Sequence, residues 1–110
     1  NTDYRLSDKV VCQMNNIYNP YIEKGFCASE YCIYNIVVGS ESRSPLPNCS
    51  IEDVVMHTHP VTAIQYPSEL DCFACKLYNK LFGNKLYGIM FGVDDYKIYE
   101  VTDEVCSPEK

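Results

Sequence analysis

Positive charge is scarce in this chain. Its 110 residues include 9 lysines and arginines against 15 aspartates and glutamates, so the formal net charge is −6 and the pI is about 4.7. The basic residues are scattered, which argues against a protein that binds the phosphate backbone of nucleic acids. The same scatter disfavours docking on an anionic membrane. No apolar run approaches the ~20 residues that span a bilayer, so membrane insertion is not expected.

The sequence also lacks a signal peptide and begins at Asn1 rather than at methionine. We therefore expect a processed chain or a segment cut from a longer protein. No repeat, low-complexity tract or linker divides residues 1–110, so a single domain is predicted. Hydrophobic residues make up 46% and charged residues 22% of the chain, which is typical of a folded globular domain and not of a disordered one.

Cysteine, in contrast, is abundant and spread along the whole chain. This distribution is typical of a domain cross-linked by disulfides, and an odd count leaves at least one thiol unpaired in this chain. We expect at least two disulfides, and hence a secreted or periplasmic protein, with delivery into a target cell as one possibility. Buried reduced thiols, or a metal or redox site at the C-x-x-C pair, are the alternatives. The seven cysteines are Cys12, Cys27, Cys32, Cys49, Cys72, Cys75 and Cys106.

Hydrophobic periodicity predicts two helices and four strands. Helical spacing predicts one helix over 7–17 and another over 68–82, the second ended by a Gly-Asn pair. Asn19-Pro20 and Gly25 are predicted to mark a loop after the first helix. This order indicates an α+β (α/β-like) domain with a small mixed sheet and flanking helices. The strands are predicted at 30–38, 54–58, 86–93 and 96–101, and the apolar stripe of the second helix consists of Leu70, Phe73, Ala74, Leu77 and Leu81.

The chain's two histidines, His57 and His59, are one residue apart at the end of the second predicted strand. Side chains alternate along a strand, so both imidazoles project to one face, while Thr58 projects to the other. Two imidazoles so placed can reach one zinc ion. A catalytic zinc needs a third protein ligand and an open position for water. We predict that Asp71, at the start of the following helix, is the third ligand.

Each half of this pattern also has an ordinary structural explanation. An H-x-H pair occurs on surfaces and in loops, and Ser68-x-x-Asp71 resembles a capping box in which Asp71 bonds back to the amide of Ser68. The combination of a histidine pair at a strand end with a capped helix that opens on an aspartate favours a metal site.

The runs HTHP at 57–60 and PSELD at 67–71 resemble the motif of the JAB/JAMM (MPN-type) zinc metalloproteases. That motif has an upstream Glu, then His-Ser/Thr-His, seven intervening residues and Ser-x-x-Asp. Residues 60–67 make eight intervening positions here, one more than in the family. The resemblance covers about residues 25–101 and is strongest to the toxin-associated bacterial branch.

The resemblance implies a glutamate general base at or near the start of an early strand that passes beside the histidine strand. We predict that Glu30 has this role, because it opens the first predicted strand, with Glu23 as the second choice. The other upstream glutamates are placed less well, since Glu41 lies in a loop and Glu52 precedes the histidine strand itself. The resemblance also implies that Ser68 helps to hold the oxyanion in addition to capping its helix.

The predicted function is therefore a Zn2+-dependent hydrolase of a peptide or isopeptide bond, as the toxin or effector domain of a larger secreted bacterial protein. Its expected partners are a protein or peptide substrate and a cognate immunity or inhibitor protein. One alternative is a catalytically inactive JAB-like domain that binds a partner. Another is a disulfide-stapled binding module that makes contacts through its ten tyrosines.

Overall fold

Five strands in one mixed sheet, with two helices, make up the part of the chain that the computed structural model describes. It describes residues 5–41, 45–61 and 69–101, without the side chains of 69–72 and 78. The strand order is β2-β1-β3-β4-β5, with β3 and β4 parallel and the other neighbours antiparallel. The predicted α+β class is confirmed. The elements are α1 (Asp8–Ile17), β1 (Lys24–Ala28), β2 (Ile33–Val38), β3 (Val54–Thr58), α2 (Glu69–Phe82), β4 (Leu86–Gly92) and β5 (Asp95–Glu100).

The first helix begins at Asp8, with Ser7 as its N-cap. The Ser7 hydroxyl accepts a hydrogen bond from the backbone N–H of Val10 at 3.4 Å, an interaction that stabilises a helix start by about 1 kcal/mol relative to alanine. Val10 and Met14 are fully buried and pack in one cluster with Phe26 and Met56 of the sheet. Burial of each large side chain contributes about 1.5–3 kcal/mol, so this cluster fixes α1 on one face of the sheet.

The second helix forms the crossover between the parallel strands β3 and β4 and ends at Gly83, whose φ of 76° is typical of a helix C-terminus. It contacts the sheet through Cys75, which is buried in a cluster with Val55 and Tyr87. Three residues of the predicted apolar stripe do not belong to this cluster. Phe73, for example, is 68% exposed, and Leu77 and Leu81 of the same stripe are also exposed. No helix in the described ranges is long and apolar enough to span a membrane.

The prediction was wrong about β1, which lies in the segment expected to be a loop. It pairs with both β2 and β3, and its residues from Gly25 to Ala28 are buried. A strand buried on both faces shows no alternation of apolar and polar residues, so periodicity does not reveal it. The next strand accordingly starts at Ile33 rather than at residue 30. Residues 29–32 form a turn instead, in which the Ser29 hydroxyl accepts hydrogen bonds from the backbone N–H groups of Tyr31 and Cys32.

A disulfide joins Cys27 on β1 to Cys49, which precedes β3. Both residues belong to the buried cluster on the α2 face of the sheet. Cys12 and Cys32 are exposed thiols outside this cross-link. The expectation of at least two disulfides stays a prediction, because the Cys72 side chain and all of Cys106 lie outside the described residues.

Candidate metal site

His57 and His59 come together at the end of β3. Their Nε2 atoms are 2.9 Å apart, and the two residues are 2% and 4% exposed. The predicted alternation is confirmed, because Thr58 points away from the pair and its Oγ1 accepts a hydrogen bond from the backbone N–H of Lys24 at 2.9 Å. The strand geometry alone therefore directs two imidazole nitrogens toward one point.

The third member of the cluster is Glu23, the residue immediately before β1. Gly25 of β1 is paired with His57, so the antiparallel register brings Glu23 to the level of His59. One carboxylate oxygen of Glu23 and one ring nitrogen of each histidine all lie within 4.8 Å of one another. The backbone carbonyl of Glu23 accepts a hydrogen bond from the N–H of Gly39 at 2.8 Å, which extends the β1–β2 pairing to this residue.

These three side chains fit a metal ion. Around a tetrahedral zinc with bonds of ~2.0–2.1 Å, the ligand atoms lie about 3.3 Å from one another. The histidine nitrogens are 2.9 Å apart, slightly less than this value, and the three ligand atoms lie within 4.8 Å of one another, which is slightly more. Small side-chain rotations would therefore bring all three atoms to the distances of a zinc site. Two histidines and a carboxylate also suit non-haem iron(II). The donor atoms therefore define a site for a metal ion and do not specify which metal.

Two aromatic rings pack against the histidine pair. The His57 ring lies 5.5 Å from the ring of Tyr87, and the His59 ring meets the ring of Phe91 edge-on at 5.5 Å between centroids. Ile89, paired with His57 in the β3–β4 ladder, is fully buried. These neighbours lower the local dielectric, which strengthens the attraction between a metal ion and the Glu23 carboxylate.

His59 lies one residue beyond β3 and is fixed by hydrogen bonds to other elements. Its N–H donates to the carbonyl of Met90 at 2.8 Å. The hydroxyl of Tyr18 lies 3.0 Å from the carbonyl oxygen of His59 and 3.2 Å from that of Phe91, so its proton is directed at both acceptors. Burial, together with the negative charge of Asp95, raises the pKa of Tyr18 above 10.0. The phenol is therefore protonated and able to donate at neutral pH.

The structure does not bring Glu30, the residue predicted to be the general base, to the histidines. Glu30 is exposed in the turn after β1, and its carbonyl oxygen accepts a hydrogen bond from the Ser7 hydroxyl at 3.2 Å. Glu23 and Glu30 flank opposite ends of β1, so at about 3.3 Å per residue they are on the order of 20 Å apart. The early strand beside the histidine strand is β1 and not β2, and the residue immediately before β1 is Glu23.

The remaining predicted site residues fall where the structure gives no side-chain position. Asp71 lies in the first turn of α2, but its side chain is not among those described. Ser68 lies wholly outside the described residues. The roles of Asp71 as third ligand and of Ser68 as oxyanion donor stay predictions from the motif.

Comparison of the chain with protein-family models, with curated proteins and with solved structures found no match. The function therefore has to be inferred from the geometry and chemistry of the site.

Proposed function

We propose that this domain is a zinc-dependent hydrolase of peptide or isopeptide bonds, with His57 and His59 as metal ligands and Glu23 as the general base. The observation that carries the proposal is the buried cluster in which a carboxylate and two imidazoles from β3 and the start of β1 lie within 4.8 Å. The motif resemblance supports it, because its implied base precedes the strand beside the histidines.

A zinc ion held by His57 and His59 would supply Lewis-acid chemistry: it would polarise the scissile carbonyl and lower the pKa of a bound water to about 7. Glu23 would accept the proton of the attacking water and pass it to the leaving amine, a role typically worth ~10²–10⁴-fold in rate. The rings of Tyr87 and Phe91 would limit competing water around the reaction centre. From their motif positions we propose Asp71 as the third ligand and Ser68 as a donor to the oxyanion.

The cell compartment and partners follow from the same proposal. The Cys27–Cys49 disulfide supports a secreted or periplasmic location, since such bonds persist in oxidising compartments. There the domain would act on a protein or peptide substrate as a toxin or effector, and a cognate immunity protein would protect the producing cell.

One observation favours a second candidate, a protein-binding domain with a purely structural metal. Both histidines are almost completely buried, and structural zinc sites are closed whereas catalytic sites keep an open position. Both candidate functions include a bound metal ion. They differ in whether that ion takes part in catalysis.

Metal content and cleavage together test the proposal. Protein purified without chelator should contain one zinc per chain by elemental analysis, and His57→Ala and His59→Ala should each lose it. Glu30→Gln is the matched control and should keep it. The zinc-loaded protein, incubated with a proteome-derived peptide library, should create new termini detectable by mass spectrometry, and His57→Ala should create none.

Two results would contradict the proposal at different points. If the double variant His57→Ala with His59→Ala keeps its zinc, the two histidines are not the metal ligands. Zinc that is bound through the histidines, without new termini and without toxicity on expression in the bacterial periplasm, would favour the structural-metal candidate.

A further inference from the structure

We propose that Tyr18 is a positioning residue of the metal site: its hydroxyl joins the backbone of His59 to β4 and so directs the His59 imidazole toward His57. This inference rests on the proposed metal-binding role of the two histidines and does not require that the domain be a hydrolase. Nothing in the HTHP motif identifies Tyr18, which lies at the end of α1, far away in sequence.

His59 needs such support because the β3–β4 ladder ends before it. The last pair in the ladder is Thr58 with Met90, and β3 itself ends at Thr58. The hydrogen bond from the His59 N–H to the Met90 carbonyl fixes the peptide plane on one side of the His59 Cα. The Tyr18 hydroxyl, at 3.0 Å from the His59 carbonyl oxygen, fixes the peptide plane on the other side.

With both peptide planes fixed, the direction of the Cα–Cβ bond of His59 is fixed as well. The imidazole then needs only the correct χ angles to reach the His57 nitrogen at 2.9 Å. Phe91 contributes twice to this arrangement. Its carbonyl oxygen shares the Tyr18 hydroxyl at 3.2 Å, and its ring contacts the His59 ring edge-on.

Tyr18 is itself held firmly. It is the C-cap of α1, and its backbone N–H donates to the carbonyl of Met14, which is fully buried in the core. Two residues further on, the carbonyl of Pro20 accepts a hydrogen bond from the N–H of Val61 at 3.1 Å. The segment that follows α1 is therefore bonded to residues on both sides of Pro60, so the packing of α1 on the sheet is transmitted to the metal-binding end of β3.

The test compares Tyr18→Phe with Tyr34→Phe as a matched control. The Tyr34 hydroxyl also has two partners, donating to the Asp53 carboxylate and accepting from the Ser50 N–H at 3.1 Å. Both variants lose one hydroxyl with two partners, but only Tyr18 contacts His59. Loss of a partner bonded to a ligating side chain typically costs 10–100-fold in affinity. Tyr18 bonds to the backbone of His59 and not to its imidazole, so zinc affinity should fall by about 10-fold, the lower end of that range, in Tyr18→Phe and remain at the wild-type value in Tyr34→Phe.

Metal binding is measured by titration with Co2+, followed in the visible spectrum, and by competition of zinc against a chelating dye. In Tyr18→Phe the cobalt bands should shift, because the His59 nitrogen no longer has a fixed direction. Incorporation of 4-aminophenylalanine at position 18, whose amino group also donates, should restore both the affinity and the spectrum. Equal affinities and spectra in wild type and Tyr18→Phe would overturn the proposal. So would equal losses in both phenylalanine variants, which would indicate a general loss of stability.

A measurement on the metal-free protein separates this proposal from the proposed function. The ¹⁵N chemical shifts of the His57 and His59 rings report their mutual hydrogen bond without any metal. They should change in Tyr18→Phe and remain unchanged in Tyr34→Phe, and a Tyr18→Phe spectrum identical to wild type would overturn the positioning role. If the wild-type protein binds neither zinc nor cobalt, the proposed function fails, while the ring shifts still decide whether Tyr18 positions His59.

Discussion

Glu23→Gln is the substitution that most directly tests the chemistry of the site. Glutamine has nearly the same size as glutamate but cannot accept the proton of the attacking water. The Glu23 carboxylate oxygen lies within 4.8 Å of a ring nitrogen of both histidines, close enough for direct contact with a water held between them. We therefore expect hydrolysis to fall by ~10²–10⁴-fold, the usual contribution of a general base. Glu30→Gln should have no effect, because Glu30 lies on the order of 20 Å away.

The assay compares cleavage of one identified peptide bond with zinc content in the same preparations. If Glu23 is the base, Glu23→Gln keeps one zinc per chain and loses cleavage. If Glu23 is itself a ligand, as in zinc sites of two histidines and a glutamate, zinc and cleavage are lost together. Wild-type cleavage by Glu23→Gln would refute both roles, and loss of cleavage in Glu30→Gln would show that the register of β1 beside β3 is wrong.

Three further predictions concern stability, and denaturant unfolding measures each of them. Gly88→Ala should lower the free energy of unfolding by about 1–3 kcal/mol through overpacking, because the added Cβ would lie 2.0 Å from the sulfur of Met56. Unchanged stability would show that the Met56 side chain can move aside at no cost. Replacing Cys27 and Cys49 together by serine should cost about 3 kcal/mol from loop entropy over a separation of 22 residues, whereas a change near zero would mean that the disulfide does not form in solution. Phe73→Ser should change stability by less than about 0.5 kcal/mol, since the ring is 68% exposed; a loss of several kcal/mol would place it in a core.

The histidine half of the site could be predicted from the sequence because its geometry is local. In a strand, residues two apart share a face whatever the rest of the fold does, so His57 and His59 need only β3 to meet. The boundaries of β3 and the end of α2 were likewise predictable, since a β-branched run marks the strand and Gly83 ends the helix.

The glutamate half was predicted only as a second choice, after Glu30, because its position depends on pairing between distant segments. Glu23 joins the site only through the register of β1 against β3, and β1 is a short strand without alternation. The orientation of α2 on the sheet could not be predicted from the sequence for a related reason. An apolar stripe shows which helix face is hydrophobic, but the sheet accommodates the Cys75 side of the helix beside the disulfide and leaves the face of Phe73 exposed.

The Cys27–Cys49 cross-link has a consequence for proteolysis. It spans β2 and the exposed residues Ser40 and Glu41, so a single cut between these two would leave both fragments covalently joined. One fragment would carry Glu23 and the other both histidines, yet the bond would hold β1 beside β3. A nicked molecule would therefore migrate as one chain without reductant and as two with it, and it would keep its three candidate metal-binding side chains in one covalent unit.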